Sequence, residues 1–412
     1  EAIMGGDGMQ VQVDARNPDI VYTGYQFGNY YRLDLGSGKR TYIQPKHTLG
    51  ESPYRFNWQT PILLSPHNQD ILYLGSNKLH RSMKQGEEWT AISGDLTRGG
   101  KKGNVAYGTL TTISESPFRF GLLYTGSDDG LVHISSDGGA SWKRISDSFP
   151  SDLWVSRVAA SAHEEGRVYA ALNGYRWDDF TPYLYVSEDY GATWKSLASG
   201  IPASPVNVVL EDPVNADLLF AGTDNGLYVS MDRGKSWHAM QNGMPHVAVH
   251  DLAIQQEAGH LLVGTHGRSI YKADIGPLQN LGREDLEKDL LVFELSDIRH
   301  SNRWGNAYSA WGKPNTPGLD IVFYSAKGGV VTARVQTADG IPVSETEVEA
   351  SPGLNYISYD VAFSKSGQQQ YLSKYKPPLK AAGDGKTYLP KGPYEVVLSL
   401  GGQEQKQEFK IE

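Results

Sequence analysis

The octet "SSDGGASW" (135–142) returns as "SEDYGATW" (187–194) and again as "SMDRGKSW" (230–237). In the shared pattern S-x-D-x-G-x-[ST]-W, opened by Ser135, Ser187 and Ser230, the carboxylates of Asp137, Asp189 and Asp232 can accept hydrogen bonds from the turn's own backbone N–H groups. Gly139, Gly191 and Gly234 permit positive φ. Trp142, Trp194 and Trp237 then open an outer strand and pack their rings between sheets. The competing reading is three carboxylates that bind a metal or a sugar. A residue needed in every repeat to fold a turn says nothing about a site, so the octet reads as a joint. A fourth copy, "SMKQGEEW" (82–89), keeps Ser82, Gly86 and Trp89 but carries Lys84 in the Asp position.

Working outward, each octet follows an apolar run and a Gly/Asn/Asp turn, as in "GLLYTGSDDGLVHIS" and "DLLFAGTDNGLYVS". Alternation across such turns predicts two strands of a hairpin. Earlier in each unit stands a proline-bearing turn: "DARNPD", "LSPHNQD", "SESPFRF" and "EDPVNAD". Aligning on Tyr22, Tyr73, Tyr124, Tyr169 and Phe220 gives steps of 51, 51, 45 and 51 residues, with a sixth unit at Leu262 after 42 more. A period of about 40 to 50 residues with four strands is the signature of propeller blades. One blade cannot bury both faces alone, so blades must stack.

Composition agrees. The 412 residues include 46 Gly, 24 Tyr and 9 Trp, and long helical periodicity is scarce, which predicts an all-β fold with one large and one small domain. Net charge is −9 and the 38 Lys and Arg are scattered, so the electrostatic footprint of a nucleic-acid binder is missing. There is no cysteine, which removes disulfides, thiolate zinc sites and cysteine nucleophiles. No stretch approaches the roughly 18 apolar residues of a membrane span. The opening "EAIMGGDGMQ" has neither a basic nor an apolar leader segment and reads as the interior of a longer protein.

The octets are Asp-boxes, and the chain resembles the sortilin-like, BNR-repeat "glycosyl hydrolase" family of secreted bacterial proteins. The likeness rests on ordered blocks over residues 1–275: "GGDGMQVQVD", "YRFNWQTPILLSPHN", "GDLTR", "SDDGLVHISSDGG", "DDFTPYLYVSEDYGATW" and "GTHGRSIYKADI". It continues through "LLVFELSDIRHSNRWG" and "KGPYEVVLSLGGQEQKQEFKIE", which look like the family's terminal immunoglobulin-like module. Alternation around "VVTARVQT", "YEVVLSL" and "QEFKI" independently predicts a β-sandwich. The expected organisation is therefore propeller blades at 1–275, a linker at 276–291 and an Ig-like sandwich at 292–412. Family members carry about twice as many blades. The resemblance thus implies a larger or double propeller, with an additional segment or partner chain supplying the missing blades.

The resemblance places any site opposite the boxes, in loops between inner strands. Three loops are rich in suitable side chains: 42–61 with His47, Glu51, Arg55 and Trp58; 173–183 with Arg176, Trp177, Asp178 and Asp179; and "GTHGRS" with His266 and Arg268. Aromatic faces beside carboxylates and arginines suit a glycan or a peptide. Arg55 and Trp58 also read as a lock of a long loop onto the next blade. Asp178 and Asp179 are candidate carboxylates of glycoside hydrolysis, although that work normally takes two acids from different loops. Asp7, flanked by glycines, could face the central channel. Asp128, Asp129, Asp224 and Asn225 sit in hairpin turns, and turn formation explains them. His266 replaces the Asp or Asn of sister blades, so the turn did not force it.

Two enzyme analogies fare poorly. The arginine triad of sialidases has no recognisable counterpart. Where an endoxyloglucanase-like first-blade segment has a catalytic Asp, this chain has Gln26, and an amide cannot take the proton. No phosphate-cradling Gly-Lys loop, HExxH pair, GxSxG elbow or His-rich metal set occurs. No metal and no cofactor are expected. The expectation is a secreted or cell-surface binding propeller, a periplasmic place being possible; the alternatives are a glycoside hydrolase and a structural subunit of a cell-envelope assembly.

Overall fold

The computed structural model describes residues 2–103, 105–240, 243–309 and 311–412. They divide into two compact units, Glu1–Gln279 and Asn280–Glu412. The split falls within the segment expected to be a linker, which contributes a short helix, Gly276–Gln279, to the first unit.

The first unit is a BNR-type β-propeller of six consecutive antiparallel sheets, five four-stranded and the last three-stranded. Their inner strands are Gln12–Val13, Ile62–Leu64, Leu110–Glu115, Trp154–Ala160, Val206–Glu211 and Val249–Gln255, which open blades one to six. Within each blade the strands follow in chain order, as hairpins demand. The aligned Tyr22, Tyr73, Tyr124, Tyr169 and Phe220 sit on the second strands and face the next blade. Tyr169, for example, packs with Val206, Val209 and Leu219 of blade five, and Tyr124 with Val155, Val158 and Val168 of blade four. The core is therefore a series of layers between blades.

The octets fold as local joints. Asp137 accepts from the Ser141 N–H at 2.9 Å, the Ser141 hydroxyl at 2.6 Å and the Ser135 hydroxyl at 2.8 Å. Asp189 and Asp232 repeat this with Thr193 and Ser187, and with Ser236 and Ser230. These donors favour the charged form, so Asp137 and Asp189 are held down to about 2. The opening serine in turn accepts from the glycine N–H, at 2.9 Å in blade three and 2.8 Å in blade four. The residue before each glycine is left-handed too, and its N–H bonds a carbonyl of the turn between the first two strands: Gln85 to Asp70, Gly138 to Gly121, Tyr190 to Gly166 and Arg233 to Asp217. The octet is thus tied to the first turn of its own blade.

It is also tied to the blade before. Trp89, Trp142, Trp194 and Trp237 donate their Nε1–H to the carbonyls of Ile43, Ile92, Ile145 and Leu197, at 2.6 to 2.8 Å. Those aliphatic residues also explain the glycines: a Cβ on Gly191 would stand 2.3 Å from Ile145 Cδ1, and one on Gly139 2.7 Å from the Ile92 carbonyl oxygen. In the second blade Lys84 keeps the geometry without the carboxylate, because Ser82 still accepts from Gly86 at 2.9 Å.

The second unit packs a three-stranded sheet (Leu291–Val292, Leu319–Ser325, Gly353–Tyr359) against a four-stranded one ordered Pro342–Ala350, Gly329–Thr337, Gly392–Leu400, Gln403–Ile411. Phe323, Val331, Val335, Val396 and Phe409 fill the space between them. One element departs from the sequence expectation of strands alone: Lys365–Tyr375 is an α-helix. Its stretch is too polar to declare a helical period. Ser364 caps it by accepting from the Gly367 N–H at 3.0 Å, and Gly367 lets the helix lie on the Val343 backbone, 2.0 Å from where a Cβ would be.

Candidate ligand-binding site

In blades three to six the inner strand slips register by one residue near its start, at Thr111, Ser156, Asn207 and His250. Such a bulge re-aims the extra side chain. Here three of the four turn sideways and bond a carbonyl at the start of the next inner strand: Thr111 to Val155, the strand's second residue, at 2.6 Å, Ser156 to Val206 at 2.7 Å and Asn207 to Val249 at 3.2 Å. The bulges also rim a cavity of about 510 Å³, at the strand ends opposite the octets.

Its wall is polar and aromatic. Arg157 reaches across from blade four to Asp251 of blade six at 2.5 Å, and its Nε is buried without a hydrogen-bond partner. Asn173 donates to Asn207 at 2.6 Å, and Asn207 to Asp224 at 2.8 Å. The Arg176 guanidinium lies 4.1 Å from the centre of the Trp154 ring, a cation–π arrangement that presents a flat cationic surface beside the exposed Tyr175. His250 and His266 stand 5.1 Å apart, ring to ring. Desolvation within the concavity, followed by the neighbouring His266, pulls the His250 pKa below its ordinary value, although the ring stays open to solvent. Among the described residues no group of three or more His, Asp or Glu side chains could hold a metal ion.

The residues singled out in the sequence fall in different places. Arg176 and His266 line the cavity, and so does Asp224, whose hairpin position alone explained it in the sequence. Trp177 is half exposed and Arg268 exposed; neither is on the cavity wall. Asp178 ends a 3-10 turn in a left-handed conformation. Asp179 accepts from Thr181 N–H at 3.0 Å and Tyr183 Oη at 2.8 Å, bonds that hold its carboxyl below the usual range. Arg55 pairs with Asp95 at 2.6 Å and donates to the Gly108 carbonyl at 3.0 Å, pinning its loop toward blade three. Trp58 meets Phe27 edge-on at 5.2 Å. Asp7 is exposed and accepts from Gln26. Asp128 is buried and accepts from the Gly108 and Thr109 amides and the Thr109 hydroxyl. Its neighbour Asp129 accepts from the Arg98 N–H and the Ser127 hydroxyl.

Sequence reasoning did not single out Trp154, Arg157, Asn207, His250 or Asp251. They stand on inner strands, and only the bulges aim them at one cavity. The signal available was the polar residue that repeats near the start of each inner strand, Thr111, Ser156, Asn207 and His250.

A family model described as "BNR-Asp box repeat" matches residues 184–197, the third strand and octet of blade four. No curated protein matches the chain by sequence. Among solved structures, the GH74 enzyme of Niastella koreensis is 14% identical and superposes with a TM-score of 0.49, over 97% of this chain and 65% of that one. The GH74 xyloglucanase of Xanthomonas campestris is 15% identical, with a TM-score of 0.43 over 89% of this chain and 55% of that one. YCF48 from Cyanidioschyzon merolae is 10% identical, with a TM-score of 0.43 over 84% and 94%. The chain thus spans under two thirds of the length of either GH74 protein.

Proposed function

We propose that the propeller is a binding module that holds a glycan or a protein segment in the cavity at the bulged ends of its inner strands. The observation that carries this reading is the Arg176–Trp154 stack, set beside Tyr175 in a wall of amide, imidazole and guanidinium groups. A flat aromatic–cation surface takes sugar C–H faces or a planar peptide side chain, while the polar wall recognises hydroxyl or carboxylate oxygens.

Binding is favoured over glycoside hydrolysis by the state of the two carboxylates on that wall. Asp251 is engaged by Arg157 and Asp224 by Asn207, whereas two-carboxylate hydrolysis needs both acids directed at one bond. A secreted or cell-surface place belongs to the same proposal. Among the described residues no helix is long and apolar enough to cross a membrane.

The test is retention on glycan and peptide arrays by the wild-type chain and by Arg176→Ala and Trp154→Ala, with reducing-sugar release measured on a polysaccharide panel. Retention without turnover, lost in both variants, is the expected result. Retention unchanged in both removes the cavity from the account. Sugar release that disappears in Asp224→Asn or Asp251→Asn replaces binding with hydrolysis. Retention only through defined protein partners, with no array signal, favours the assembly-subunit reading.

A further inference from the structure

The cavity at the bulged strand ends holds acceptors and donors in different states. Its two carboxylates are fixed through one oxygen each. Arg157 and the Leu252 N–H both bond Asp251 Oδ1. The Tyr175 N–H bonds Asn173 Oδ1, so the Asn173 amide turns its NH2 to Asn207 Oδ1, and Asn207 in turn donates to Asp224 Oδ1. A backbone amide thereby sets the direction of the whole relay. Among the described residues neither Asp224 Oδ2 nor Asp251 Oδ2 has a hydrogen-bond partner, so each wall carboxylate keeps one oxygen for a ligand's hydroxyl hydrogens.

The cationic side of the wall is less occupied. Arg157 is committed to Asp251, and its Nε is buried out of a ligand's reach. Arg176 is exposed and lies on the Trp154 ring, and among the described residues its guanidinium makes neither a hydrogen bond nor an ion pair. The exposed rings of His250 and His266, 5.1 Å apart, likewise bond no protein group among the described residues. These groups share one field. After desolvation, the charges that act on His250 are those of His266, Asp224, Asp251 and Arg176, which come from blades four, five and six. Three groups able to donate to an anion therefore converge beside two oxygens able to accept from hydroxyls.

We propose that the ligand of this cavity is an acidic sugar, a uronate unit of a polysaccharide, whose carboxylate sits between the Arg176 guanidinium and the two imidazoles while its hydroxyls donate to Asp224 Oδ2 and Asp251 Oδ2. This rests on the binding reading above and names its ligand class. A neutral sugar leaves the open guanidinium without a charged acceptor. A sulfate or phosphate group has no hydrogen to give the two carboxylates and is repelled by them. An acidic peptide brings apolar side chains, and the one aliphatic side chain lining the cavity is Ala248, among amides such as Gln10 and Gln59. The imidazoles add a dependence on acidity. His250 takes up its proton below the ordinary value of about 6.5, while a sugar carboxylate is still ionised. The charged ring attracts the bound carboxylate, so affinity rises as pH falls through that range.

Calorimetric titration with paired probes tests this: short oligomers of galacturonate, glucuronate, mannuronate and guluronate, each beside its carboxyl-reduced, neutral counterpart. At least one acid should bind roughly tenfold or more tightly than its reduced partner, the worth of one charge-assisted hydrogen bond. Arg176→Gln, a change at an exposed side chain whose folding is checked by circular dichroism, should bring the two members of that pair together. The acid should bind more tightly at pH 5.5 than at pH 7.5, its reduced partner equally at both, and His250→Gln should flatten the difference. Reduced oligomers bound as well as their acids overturn the proposal, as do an acid preference that survives Arg176→Gln, an oligoglutamate bound more tightly than every uronate, and a panel in which no acid binds. The two proposals fail separately. Neutral oligomers or peptides whose binding is lost in Trp154→Ala keep the cavity as a binding site and remove only the acidic sugar, whereas ligands unaffected by both Trp154→Ala and Arg176→Gln remove the cavity itself.

Discussion

Blade five and blade six are built on one register but live in different surroundings. Phe220 and Leu262 occupy matching positions, as do Gly222 and Gly264, and Asn207 and His250. In blade five all three are engaged by blade six, whereas in blade six none is engaged by a seventh. A propeller blade is therefore half a structure: sequence pattern makes the sheet, and the neighbour makes the core. The sequence carries the matching positions equally well in both blades.

The largest expected effect is truncation of the aligned aromatic. Phe220→Ala should cost about 3–5 kcal/mol, because it empties a fully buried layer. Leu262→Ala should cost under about 1 kcal/mol in the isolated chain, where the side chain is already partly in water. Urea denaturation of the two variants measures the difference, and equal losses would break the comparison.

Acid sharpens it from the other side. His80, in blade two, is buried beneath Tyr54 with Ser76 as its hydrogen-bond partner at 2.8 Å, and burial lowers its pKa to about 4. Above the unfolded value of about 6.5 the neutral ring is matched in both states. As pH falls from there toward 4 the unfolded chain takes up the proton and the folded one does not, so roughly 3 kcal/mol of stability is lost over that window. Denaturation midpoints between pH 7 and 4.5 should fall in wild type and fall less in His80→Gln.

Next comes the strand glycine of the two blades. Gly222→Val places methyl groups into Val208 and Val249, whose Cγ1 atoms already lie 2.6 Å from the Cβ site, and should cost about 1–3 kcal/mol or more. Gly264→Val meets only ordinary contacts of its own blade, the nearest being the Asp251 carbonyl oxygen at 3.4 Å from the Cβ site, and should be near neutral by the same assay. The smallest effect is expected at the octet. Trp194→Phe keeps one aromatic ring but loses the bond to the Ile145 carbonyl and part of the indole's packing on Phe149, about 1–2 kcal/mol in thermal unfolding.

The repeat unit, its length and its aligned aromatics were open to sequence reading, because a four-strand period and the Asp-box turn chemistry are local properties. The reason for the box glycines was only half visible. Positive φ is local, but the approach of Ile92, Ile145 and Leu197 belongs to the preceding blade. Arg176 and His266 stood out by residue type in loops, whereas Trp154, Arg157 and His250 sit on strands whose bulges are set by pairing register rather than by any turn motif. The Lys365–Tyr375 helix escaped notice because its stability comes from a cap and from docking on Val343, not from an apolar stripe.

Amide hydrogen exchange on the isolated chain probes the open layer most directly. Protection along Leu219–Thr223 and Gly226–Ser230 should approach that of global unfolding, while His260–Thr265 and Ile270–Asp274 should exchange through local opening, orders of magnitude faster. Equal protection in the two blades would contradict the claim that the outer layer of blade six is uncovered in this chain.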